Sequence, residues 1–79
     1  MIATMIKLTR NEPAKNMHRF YALHLAPTLF GDWLLVSEWG RIGSPGTVRQ
    51  HAFATEQLAA AALVNRIKAK TKRGYKACQ

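Results

Sequence analysis

The chain has 79 residues, with 12 Lys+Arg against 4 Asp+Glu and a formal net charge of +8 at pH 7. A chain this short forms one domain, residues 1–79, and buries only roughly 60% of its unfolded surface, which excludes a large catalytic cavity. With 48% hydrophobic and 20% charged residues it is too apolar for a disordered basic tail, so the charge sits on a folded body.

The lone cysteine, Cys78, excludes a disulfide framework and a cysteine-rich zinc site, both of which need several thiols at fixed spacing. The opening run from Met1 to Ile6 lacks the basic start and the small-residue cleavage pattern of a signal peptide. The longest apolar stretch, Leu58 to Val64, is seven residues, against the roughly twenty of a membrane helix. These features read as a cytoplasmic protein with no membrane partner. The charge is also unevenly spread. Up to Glu56 there are six bases and four acids, whereas the last 23 residues hold Arg66, Lys68, Lys70, Lys72, Arg73 and Lys76 and no acid.

Taken in chain order, Met5 to Thr9 alternates as a short strand, and the polar run Arg10 to Asn16 around Pro13 reads as a loop. Phe20 to Leu25 is the second strand, and Pro27 to Asp32 turns the chain. Trp33 to Trp39 is the third; its period of two sets Trp33, Leu35, Ser37 and Trp39 against Leu34, Val36 and Glu38, so both faces carry apolar groups. A seven-residue loop, Gly40 to Gly46, follows, with glycines at intervals of three. Thr47 to Phe53 is the fourth strand.

Thr55 then N-caps a helix with Glu56 in its first turn, continuing to Lys72 with Gly74 as the C-terminal stop. A helical wheel gathers Ala60, Leu63, Val64 and Ile67 into one apolar stripe and directs Arg66, Lys68, Lys72 and Arg73 elsewhere. The expected fold is α+β: a small antiparallel sheet of about four to five strands, with this one helix from the C-terminal half packed on one face.

Chemistry-bearing constellations are few. His18, His24 and His51 match no metal-ligand spacing, and no nucleophile has a recognisable base partner, so neither an enzyme nor a cofactor is expected. Gly40, Gly43 and Gly46 fit neither the dinucleotide fingerprint nor a phosphate-binding P-loop.

What remains is a basic helix beside Trp39-Gly40-Arg41 at a strand end. With Ile42-Gly43-Ser44-Pro45-Gly46 beyond it, Phe20-Tyr21 before it and Lys72-Arg73-Gly74-Tyr75 after the helix, this pattern resembles the WGR domain. That module occurs in the DNA-damage-dependent poly(ADP-ribose) polymerases and in small bacterial proteins, and the chain is most similar to the bacterial stand-alone kind, including its Asn16-Met17. The resemblance, over Phe20 to Tyr75, implies a nucleic-acid-binding module for duplex DNA ends, nicks or gaps, with DNA ahead of RNA and no base-specific readout. It assigns a sugar contact to Trp39 and a contact with DNA or with neighbouring domains to Arg41, with Gly40 allowing close approach. Thr47 stands where the polymerases usually carry Gln, so contacts of that side chain do not carry over.

The candidate nucleic-acid-binding residues are Trp39, Gly40, Arg41, Gly43, Arg49, Arg66, Lys70, Lys72, Arg73 and Tyr75. Arg41 and the loop glycines would meet phosphate, and the C-terminal bases would supply sequence-independent attraction. For Tyr75, packing is the stronger expectation. The alternative is a protein-interaction or dimerisation module in which Trp33, Leu35 and Trp39 form an apolar sheet surface away from the helix.

Overall fold

The apolar–polar alternation of the strands leaves one sheet face to be buried by the one amphipathic helix. The computed structural model describes residues 5–77, so Cys78 and residues 1–4 lie outside it. The strands are β1 (Ile6–Glu12), β2 (Met17–Pro27), β3 (Trp33–Arg41), β4 (Thr47–Phe53) and β5 (Lys76–Ala77), with the helix α1 (Glu56–Lys72) between the last two. The sheet runs β4-β3-β2-β1-β5, with every pairing antiparallel. The α+β architecture is therefore as the pattern predicts.

Several boundaries differ from expectation, and β2, expected over Phe20 to Leu25, runs Met17–Pro27. Arg10, Asn11 and Glu12 extend β1 instead of forming a loop, because the β2 ladder continues opposite them as far as the Glu12–Met17 pair. Pro13 ends it and opens a short 3-10 turn, Pro13–Lys15, closed by Asn16 at φ 51°, a conformation asparagine tolerates better than most residues. Gly40 and Arg41 belong to β3, paired with Phe20 and Arg19, which shortens the following loop to residues 42–46. Gly46 is required there by packing: a Cβ would lie 2.7 Å from the Trp39 carbonyl oxygen and 2.8 Å from the Phe20 ring.

Register assigns the faces. Cross-strand rows Leu8–Tyr21–Trp39–Thr47 and Ile6–Leu23–Ser37–Arg49 share the helix side. Leu8, Tyr21, Leu23, Leu35 and Tyr75 form the buried centre, with Ile6, Leu25, Trp39, Phe53, Ala62, Leu63 and Ile67 packed around it. The face carrying Trp33, Leu35 and Trp39, expected to lie away from the helix as a docking surface, is thus the face α1 covers. Leu35 is 2% exposed. The open face is instead the one bearing Phe20, Ala22, Leu34, Val36 and Glu38.

Thr55 caps α1 as expected, its Oγ1 accepting from the Leu58 amide at 3.2 Å. The inward stripe is rotated from the wheel reading. Ala59 is buried and Ala62, Leu63 and Ile67 face the core, while Val64 is 46% exposed. Arg66, assigned to the outer face, turns inward and donates from Nη1 to the Tyr21 hydroxyl at 2.7 Å. At the C-terminus Gly74, at φ +97°, turns the chain so that the Tyr75 amide reaches the Lys70 carbonyl at 3.1 Å and its ring enters the core.

Leu23→Ala is expected to destabilise the domain by about 2–5 kcal/mol, since Leu23 is fully buried and its loss leaves a cavity. Val64→Ala, at an exposed helical position, stays within about 0.5 kcal/mol of the parent. Urea unfolding read by circular dichroism measures both; similar costs for the two would contradict the rotated stripe.

Candidate nucleic-acid interface

Where β2 begins and β3 ends, on the helix side of the sheet, the rows pass from apolar to cationic. Tyr21 faces Trp39, and one row further out Arg10 faces Arg19, which faces Arg41. Like charges directly opposite each other destabilise a strand pair. Arg10 is answered by Glu12, whose Oε1 lies 2.9 Å from the guanidinium, and Lys15 lies 3.4 Å from the other oxygen of the same carboxylate. Among the described residues these are the only ion pairs, so Arg19 and Arg41 face each other with no carboxylate on either.

A cleft of about 510 Å³ opens at this row. Its walls are Lys15, Asn16, Met17 and His18 from the turn and the start of β2, Arg19 and Tyr21 from β2, Trp39, Gly40 and Arg41 from β3, and Lys70 and Tyr75 from the helix end. Four of these residues are cationic and none is acidic.

The floor is aromatic. Tyr21 and Trp39 stack with centroids 5.7 Å apart and planes 16° apart, and Tyr75 meets Tyr21 edge-on at 6.4 Å. The Lys70 ammonium lies 4.6 Å from the Tyr21 centroid and 5.7 Å from that of Tyr75, so ring faces hold it where a carboxylate would have cancelled its charge. Arg49 lies 5.9 Å from the Trp39 centroid. Trp39 is therefore a half-buried wall, braced by Tyr21 and overlaid by a guanidinium, and not a free-standing platform.

Of the residues singled out from sequence, the fold brings Trp39, Gly40, Arg41, Lys70 and Tyr75 into this cleft, with Arg49 against the outer side of Trp39. Tyr75 is 8% exposed and mainly packs. Lys72 and Arg73 are exposed at the helix end outside the lining, and Arg66 is occupied by Tyr21. Gly43 lines a different cleft, with Phe20 and Ala22 of the open face. The cationic lining residues that sequence reasoning did not single out are Lys15 and Arg19. Arg19 could have been found from its position two before Tyr21, which in a strand shares that residue's face.

The Arg10 side chain, by hydrogen bond and then by charge, holds the Glu12 carboxyl below its ordinary range, with Lys15 assisting. A carboxyl whose pKa is lowered by folding stabilises the fold above its unfolded pKa and loses that contribution as pH falls through the folded value. Glu12→Gln is therefore less stable than the parent at pH 7, and the difference closes as acidification protonates Glu12 below about pH 4. Urea midpoints across pH measure this, and a gap unchanged by acid would contradict it.

Among the described residues no group of three His, Cys, Asp or Glu side chains could hold a metal ion, and no helix is long and apolar enough to cross a membrane. The family model of the WGR domain matches residues 5–79. A relative described as "Uncharacterized protein y4dW", from Sinorhizobium fredii (strain NBRC 101917 / NGR234), is 42% identical over 67 residues, covering 85% of this chain and 33% of the relative. The chain thus spans about a third of that relative's length. No solved structure matches significantly. With Trp39-Gly40-Arg41 at the end of β3 in the wall of an aromatic, cationic cleft and the match running over nearly its whole length, the chain belongs to the WGR domain family, a family of nucleic-acid-binding modules.

Proposed function

We propose that the protein binds duplex DNA at ends, nicks or gaps, through phosphate and sugar contacts and without reading base sequence. The observation that carries this is the cross-strand pairing of Arg19 with Arg41, with no carboxylate on either among the described residues, in one cleft with Lys70 and the Tyr21–Trp39 stack. Folding holds these cations together at a cost, and a phosphate removes that cost by lying between them. A strand terminus fits better than continuous duplex, because the cleft has walls on several sides and would accept a protruding phosphate more readily than the smooth backbone of an intact helix.

In this reading Arg19, Arg41 and Lys70 hold the phosphate and the exposed part of Trp39 lies against the adjoining sugar. Arg49, Lys72 and Arg73 extend the basic surface to neighbouring phosphates, which raises affinity for any polyanion alike. Gly43 stands apart from this contact. In this reading the protein acts by binding, without a catalytic step, in the cytoplasm of a bacterial cell.

Fluorescence anisotropy with blunt, nicked and covalently closed duplex, and with duplex RNA, tests the proposal at several salt concentrations. Nicked and open-ended DNA should bind more tightly than closed DNA, and log K should fall with log salt at about −0.9 per phosphate neutralised. Trp39→Ala should lose the end preference more than overall affinity. Lys72→Ala should weaken all duplexes alike and lower the salt slope by about 1. Equal binding to closed and nicked circles would overturn the terminus assignment, and salt-insensitive binding the phosphate contacts.

Arg19→Gln separates the two consequences of the arginine pair. Without DNA the variant should be more stable by about 0.2–1 kcal/mol, because the cross-strand repulsion is gone. With nicked DNA it should bind more weakly. Urea unfolding and the same anisotropy assay measure the pair of effects, and a loss of stability would show that Arg19 is structural.

A further inference from the structure

Two apolar features stand outside the cationic cleft, and they are complementary. The turn between β2 and β3 carries Leu29 and Phe30 at 99% and 91% exposure. This is an ordered projection: the Thr28 amide donates to the Asp32 carbonyl at 2.9 Å, the Phe30 amide donates to Thr28 Oγ1 at 3.2 Å, and Gly31 takes φ +91°. Two adjacent large apolar side chains held in water in this way mark a contact surface.

On the open sheet face, a second cleft of about 280 Å³ is floored by Phe20 and Ala22 and rimmed by Met5, Ile42, Lys7 and Glu38. Pockets for separate small molecules run at about 300–1,000 Å³. This one is sized for a side chain or two. The rim carries one cation, Lys7, and one carboxylate, Glu38; Lys7 is the group that can pair with the Asp32 carboxylate following Leu29 and Phe30 in the turn. From Ala22 β2 runs five residues on to Pro27, about 16 Å of strand, and the projection lies beyond that end, so no copy can fill its own cleft.

We infer that the Leu29–Phe30 projection of one copy seats in the Phe20–Ala22 cleft of the next, with Asp32 against Lys7, giving head-to-tail association. Such a contact joins two different patches, so it does not close on itself in a dimer and can extend copy by copy. The net charge of +8 opposes it at low salt. Screening relieves that repulsion while leaving apolar burial intact, so salt strengthens the association, opposite to its effect on phosphate binding. The inference is independent of the DNA reading.

Light scattering on the isolated protein, without nucleic acid, at rising concentration and in about 0.5 M salt, where the Debye length is only a few ångströms, provides the test. The mass should climb past that of a dimer. Leu29→Ser/Phe30→Ser should weaken association roughly 30-fold or more, as loss of an interface hot spot does. Met5→Asp/Lys7→Glu, altering two exposed rim positions, should do the same. Each variant alone should stay monomeric, yet an equimolar mixture should form a dimer and stop, because only one intact projection and one intact cleft remain. Circular dichroism confirms that both variants fold. A parent that stays monomeric, a mass that plateaus at a dimer, a projection variant that still associates, or a mixture that stays monomeric would each overturn the inference.

Discussion

The hydrogen bond from Arg66 to the Tyr21 hydroxyl, 2.7 Å long, is the contact on which the rest of the site depends. Tyr21 is 3% exposed at the centre of the sheet, and its hydroxyl buried without a partner would cost on the order of 1–3 kcal/mol. Arg66 supplies that partner from the middle of α1, which fixes how the helix lies across β2. With the helix so held, Lys70, one turn further on, reaches the Tyr21 ring, and Gly74 returns Tyr75 against its edge. The neighbouring strand sets Trp39 on the same ring. One buried tyrosine thus fixes the positions of a cation and two aromatic walls that reach the cleft from three different elements.

The cleft itself is a place where stability is given up. Antiparallel pairing brings Arg19 and Arg41 opposite each other, and Glu12, the one carboxylate in an ion pair among the described residues, is taken by Arg10 and Lys15. A glutamate in place of either arginine would improve the ladder and abolish the attraction for a polyanion. The remaining charge on the helix end and tail does not need such placement, since long-range attraction to a phosphate backbone depends on field and not on geometry.

Much of the framework was legible in the order of residues. Strand β4 and helix α1 begin and end where the alternation, the Thr55 cap and Gly74 predict, because those signals are local. The polar extension of β1 was not legible, since Arg10 to Glu12 are strand only by virtue of the β2 residues opposite. Nor could the pattern choose the buried face of β3, as Leu34 and Val36 are as apolar as Leu35 and Trp39; the helix decides it. Trp39 and Arg41 were readable from their motif, and the face of Arg19 from its spacing to Tyr21, whereas its place opposite Arg41 comes from the β2–β3 register. The inward turn of Arg66 and Lys70 was hidden for a related reason. Hydropathy counts them as polar, while their stems and planar or π-seeking head groups suit a tyrosine-lined seam.

That seam bears on how a domain of 79 residues can carry so many cations beside its core. Burying a positive group is costly unless something answers the charge, and the usual answer is a carboxylate. Here the half-buried Arg66 is answered by a hydroxyl and the half-buried Lys70 by two ring faces, while the exposed Arg49 lies over an indole. Each of these partners holds the cation in place and carries no formal charge, so orientation is obtained without neutralisation. An acidic partner would give firmer side chains in a site with no net field, and solvent alone would give the field without the orientation. Neutral aromatic partners supply both, which is why the cluster that closes the core is also the one that lines the cleft.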